Sequence, residues 1–90
     1  MRTLLDLAGV GPATENHLRL LGVTTVAQLA RRDAHELYQE FCRVRGQRMD
    51  PCCEDVFRAA IEHARNPDLP PHQRKWWYWS RLRKRAGARA

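Results

Sequence analysis

The feature that most constrains this chain is the run Leu7-Ala8-Gly9-Val10-Gly11-Pro12-Ala13-Thr14. Apolar Leu4, Leu5 and Leu7 precede it and Leu18, Leu20 and Leu21 follow it, so two short helices must meet across a very tight turn. A helix that stops and reverses this abruptly ends on a left-handed backbone conformation, which glycine alone adopts without steric penalty; Gly9 therefore fits the position just past the first helix. Pro12 has φ already near the helical value and no N–H to leave unpaired, so it fits the first position of the second helix. Val10 fills the gap between the helices, and Gly11 leaves the surface bare.

This pattern predicts a helix-hairpin-helix and, with it, a chemistry. The second helix opens with N–H groups that have no acceptor inside the helix, and its aligned peptide dipoles put partial positive charge there. With no Cβ on Gly9 or Gly11, a phosphate oxygen can reach the amides of Gly9, Val10, Gly11 and Ala13, a contact that carries no base information. Arg19 and His17 are the nearest supporting charges, and Glu15 opposes them. The same G-x-G-P pattern also serves as a plain helix connector. Ala13, Thr14, Glu15 and Asn16 stand where DNA-binding hairpins often carry lysine or arginine.

Charge is distributed unevenly. The net charge is +6, yet all 10 acidic residues lie at or before Asp68, among nine arginines, so residues 1–68 are close to neutral. The excess sits in Arg74, Lys75, Arg81, Arg83, Lys84, Arg85 and Arg89, with no acid among them. A basic tail on a neutral body points to a polyanion, nucleic acid before anionic membrane. Three cysteines, no signal peptide and no long apolar run predict a cytoplasmic protein that spans no membrane.

Further along, Gly22 stops the second helix, and Val26, Leu29 and Ala30 predict a short helix from about Thr25 to Arg32. Asp33 caps a helix to about Val44, with Leu37, Tyr38, Phe41, Cys42 and Val44 at helical spacing and Gly46 ending it. Asp50-Pro51 opens the longest helix, to Arg65, with Cys53, Val56, Phe57, Ala60, Ile61 and Ala64 as its buried stripe. Asn66-Pro67 stops it, and Leu69-Pro70-Pro71 is a stiff connector. A last helix is expected from about His72 to Lys84, with disorder from Arg85 to Ala90.

The hairpin residues Gly9 to Thr14 with Leu18 and Leu21-Gly22-Val23, then Leu37-Tyr38, Asp50, Cys52, Val56-Phe57-Arg58 and Trp76-Trp77-Tyr78-Trp79, resemble the bacterial "pathogenicity locus" family of small helix-hairpin-helix proteins, some labelled mitomycin-resistance proteins. The resemblance covers Leu4 to Ser80. It implies an all-α, compact five- to six-helix domain, a tandem helix-hairpin-helix (SAM-like) in which only the first hairpin is well formed. The second, Arg45 to Asp50, lacks the paired glycines. The domain would occupy residues 1–80 including the Trp-rich segment, and residues 81–90 would form a basic, partly disordered tail.

Other groupings are weaker. Cys42, Cys52, Cys53 and His63 lack the spacing of a zinc knuckle, and no metal or cofactor is expected. Cys52 in a first helical turn would have its thiol pKa lowered by the dipole, but no acid–base partner accompanies it, so no enzyme is expected. The tryptophans could stack bases, but packing against the body is the favoured reading; Trp76 and Trp79 would share a helix face and Trp77 point elsewhere. Arg58 would either brace Asp55 or Glu62 at helical spacing or touch a ligand. The expected function is non-catalytic, sequence-independent DNA binding through Gly9, Val10, Gly11, Ala13, Arg19, Arg74, Lys75 and Arg81. The alternative is a protein-interaction module with a purely structural hairpin, belonging to a repair or stress-response assembly.

Overall fold

Local sequence chemistry sets most of the helix ends. The computed structural model describes residues 2–88, and among these it contains five α-helices and no strand: α1 Pro12–Leu20, α2 Val26–Ala30, α3 Ala34–Arg45, α4 Cys52–Arg65 and α5 Trp76–Ala88. Single 3-10 turns at Leu4–Asp6 and Pro71–Arg74 precede α1 and α5. Thr25 and Asp33 cap α2 and α3 by accepting from the amides of Gln28 and Glu36, each at 3.1 Å. After α1, Gly22 adopts φ 81°, and the amides of Val23 and Gly22 bond back to the carbonyls of Leu18 and Arg19 at 2.9 and 3.0 Å. The same 6→1 and 5→2 pair closes α3 at Gly46, which satisfies carbonyls that would otherwise be orphaned.

The fourteen-residue α4 is the axle of the fold. At 3.6 residues per turn, Cys53, Val56, Phe57 and Ala60 lie on one of its faces and Asp55, Arg58, Ala59 and Glu62 on another. The first face meets the core formed with Leu4, Leu7, Leu18, Val23, Leu29, Leu37 and Phe41, all buried. Phe57 meets Phe41 edge-on at 5.8 Å, and the ring of His17 lies 4.7 Å from Phe41. The second face is covered by α5. Arg83 near the far end of α5 binds Asp55 in the first turns of α4, while Arg58 lies over the Trp79 ring, so the two helices run antiparallel. The Cα radius of gyration of 12.5 Å is close to the roughly 12 Å expected of a folded chain this long.

Three expectations are corrected. The segment before the first glycine forms a three-residue 3-10 turn and not an α-helix, closed by Asp6, whose carboxylate accepts from the Thr3 amide at 2.7 Å. The C-terminal segment does not form one helix from His72: Lys75 is extended (φ −94°, ψ 131°) and separates the 3-10 turn from α5. The Trp79 indole donates to the Gln73 carbonyl at 2.7 Å and holds that corner. Helix then continues through Ala88, past the expected limit at Lys84, because Leu82, Arg83, Lys84, Arg85 and Ala86 are strong helix formers and Arg83 is anchored. The expected disorder from Arg85 is thus replaced by helix up to Ala88, and the remainder of that expectation falls on residues 89 and 90, outside the described residues. Arg58 pairs with Glu62, one of its two expected partners, at 3.6 Å, and Asp55 is held instead by Arg83.

Candidate nucleic-acid interface

The glycine turn owes its shape to three local facts. Gly9 has φ 71°, the left-handed region that disfavours side chains, and a methyl placed on it would lie 3.8 Å from Val56 of α4. Gly11 is extended (φ −98°) and caps α1, and a methyl there would meet nothing within 4 Å. Pro12 opens α1, and the first intrahelical amide bond runs from Glu15 to the Gly11 carbonyl at 2.9 Å. Among the described residues, the amides of Gly9, Gly11, Ala13 and Thr14 therefore have no acceptor. Gly9 and Ala13 are exposed and Gly11 is half-exposed.

Val10 is buried in the core, as its gap-filling place predicts, but its amide, expected to be open to phosphate, donates to the Leu7 carbonyl at 3.2 Å. The Ala8 amide is also taken, by His63 Nδ1 at 2.9 Å. That bond ties the turn to α4 and requires an unprotonated Nδ1. Burial first, then the positive fields of Arg74 and Arg2, lower the His63 pKa; the Pro67 carbonyl pulls weakly the other way. Arg2 itself donates to the carbonyls of His63 and Ala64 at 2.8 and 3.0 Å, where α4 ends.

The structure does not gather the expected basic residues at the turn. Arg74 has its Nε engaged by the Leu69 carbonyl at 2.7 Å, and its charge adds to the field that lowers the His63 pKa. Arg19, on α1, pairs with Glu15 at 3.5 Å, which neutralises the expected support at that helix. Lys75 lies over the Trp77 ring at 5.8 Å. Arg81 is exposed on α5, which lies across a different face of α4 from the turn, so the structure does not bring it to the glycines. Arg83 is withdrawn from any ligand by its two bonds to Asp55, at 2.9 and 3.0 Å. Arg89 lies outside the described residues.

Three residues escaped the sequence reading. Thr14 was recoverable, because any third helical position leaves its amide free. His63 and Arg2 carry no local signal, since each acts on a segment more than fifty residues away in the chain.

The other expected groupings resolve differently. Among the described residues no three His, Cys, Asp or Glu side chains converge as a metal site. The Cys52 thiol pKa is raised and not lowered: its hydrogen bond to the Asp50 carboxylate comes first and burial second, against a lowering pull from Arg83. A groove of about 320 Å³ between α3, α4 and α5 is lined by charged groups already engaged with neighbours. His35 pairs with Glu54 at 2.8 Å, Arg83 with Asp55, and Arg58 stacks on Trp79.

Fold and turn together define a small all-α domain built on one doubly covered helix, with an open glycine turn at its edge. The chain belongs to the pathogenicity locus (Cdd1) family, whose pattern it matches over residues 1–85. It is 38% identical over 82 residues to the mitomycin resistance protein McrB of Streptomyces lavendulae, covering 91% of this chain and 74% of that protein. No solved structure matches. No helix among the described residues is long and apolar enough to cross a membrane.

Proposed function

We propose that this protein is a non-catalytic module that holds DNA by its backbone phosphates, with the Gly9–Thr14 turn acting as a helix-hairpin-helix despite its shortened first arm. One observation carries the reading: four amides in the glycine turn and the first turn of α1, those of Gly9, Gly11, Ala13 and Thr14, have no acceptor among the described residues, and the space over Gly11 is open. A phosphate oxygen accepts from these amides, and the positive end of the α1 dipole adds to the attraction. Arg74, among the basic residues of the C-terminal segment, adds to the general attraction for phosphate. Recognition by amides and phosphates reads no bases, so binding is independent of sequence.

The test is a salt-titrated binding assay with Gly11→Asp. Aspartate is a good N-cap, and Gly11 has room for it, so the variant folds. Its carboxylate then occupies the amides that a phosphate would use, and binding to DNA is lost. A folded Gly11→Asp protein with unchanged DNA affinity overturns the proposal, as does undetectable affinity of the parent at low salt.

A second reading, a protein-interaction module, is favoured by one specific feature. Leu20 and Val44 are 58% and 54% exposed and, with Leu21, Glu40 and Arg43, line one shallow depression of about 250 Å³ where α1 and α3 end. Under that reading Leu20→Ser with Val44→Ser abolishes partner capture, and Gly11→Asp leaves it intact.

A further inference from the structure

The three tryptophans of α5 do not share one fate. Trp79 is a packing residue, fixed by its indole bond to Gln73 and by Arg58 over its ring. Trp77 is 47% exposed, on the face of α5 turned away from α4. Helical spacing places Trp77, Arg81 and Lys84 on one stripe, as residues i, i+4 and i+7, with Arg85 beside it. Arg81, Lys84 and Arg85 are exposed and, among the described residues, join no ion pair. Trp76 stands edge-on to Trp77 at 5.8 Å, and Lys75 lies over the Trp77 ring.

We propose that this stripe is a second nucleic-acid contact that binds unpaired nucleotides, Trp77 stacking on a base while Arg81, Lys84 and Arg85 hold the adjoining phosphates. The inference rests on the DNA-binding reading above and adds a substrate class: nucleic acid with a single-stranded segment. One argument carries it. An exposed indole flanked by cations offers both a π-face for any base and a positive track for the strand, the combination that single-strand binders use. An anionic membrane suits the stripe less well, because cations interrupt its apolar surface and leave no continuous apolar face to insert.

The glycine turn and the helix that carries this stripe pack on different faces of α4, so a partner that engages both must extend from one side to the other. A duplex held at the turn and a strand leaving it along α5 meets that requirement.

The experiment measures affinity of the full chain for three probes at low salt: a blunt duplex, a short oligothymidine, and the duplex carrying an oligothymidine overhang. The parent binds the overhang duplex tighter than the blunt one. Trp77→Ala weakens oligothymidine binding about tenfold and removes the overhang preference, while Trp77→Phe restores most of both. Indole fluorescence of the parent falls on adding oligothymidine. Equal affinity of parent, Trp77→Ala and Trp77→Phe for oligothymidine overturns the inference and leaves the glycine-turn reading standing, provided Gly11→Asp still abolishes blunt-duplex binding. Failure of all three probes to bind the parent overturns both. Trp77-dependent binding to phosphatidylserine vesicles without oligothymidine binding overturns the inference in favour of a membrane.

Discussion

At Asp55 a carboxylate is only 2% exposed, and its two oxygens are both held by Arg83. Removing one partner of such a pair leaves the other charge uncompensated, which costs far more than the pair itself contributes. Arg83→Ala should therefore destabilise the protein by about 3–5 kcal/mol in urea unfolding. The double variant Asp55→Ala with Arg83→Ala should recover part of that loss. His63 sets a pH dependence of definite sign. Its folded pKa lies below the ordinary value, so the unfolded chain takes up the proton first as pH falls. Stability is fully present above about pH 6.5 and declines below it as pH drops through the folded pKa. His17, lowered by burial and then Arg45, adds in the same direction, whereas His35, raised by Glu54, opposes them. His63→Asn keeps an acceptor near the Nδ1 position and removes the titration, so its stability profile should be flatter as pH falls below about 6.5.

Among the elements, the two glycines that matter most make a controlled comparison. Gly46 closes α3 at φ 67° with open space around it, so Gly46→Ala should cost about 1 kcal/mol through backbone strain alone. Gly11 has an ordinary φ and equal space, so Gly11→Asp should leave the melting temperature unchanged or slightly raised. α1 to α4 were legible in the sequence because their signals are local: the apolar spacing, the caps at Thr25 and Asp33, and the stop at Gly46. The corner at Lys75 was not, since it depends on an indole reaching the Gln73 carbonyl. Nor was the second buried face of α4, because a lone aspartate in a helix looks like a surface residue until its partner, 28 positions later, is placed beside it. The candidate site was legible for the same reason as the helices. Free amides at a helix start follow from Gly11-Pro12 alone, while the histidine that fixes the turn comes from 55 positions away.

Over the whole molecule, the tail's charge is divided and not pooled. Arg83 and Arg74 are engaged within the fold, by Asp55 and by the Leu69 carbonyl, leaving Arg81, Lys84 and Arg85 as an outward track on α5. If that track meets phosphates, the logarithm of affinity should fall linearly with the logarithm of salt. Replacing Arg81 and Lys84 by alanine should then lower the slope by about 0.7 for each charge removed on single strands. The antiparallel clasp of α5 on α4 also bears on how the chain is made. A ribosome delivers Asp55 well before Arg83, so through that interval the nascent domain carries an unmatched carboxylate and the bare alanine of position 59 on its central helix. Maturation is thus completed from the rear. A nascent chain halted between the two should remain open to proteases and become resistant only once Arg83 has been added.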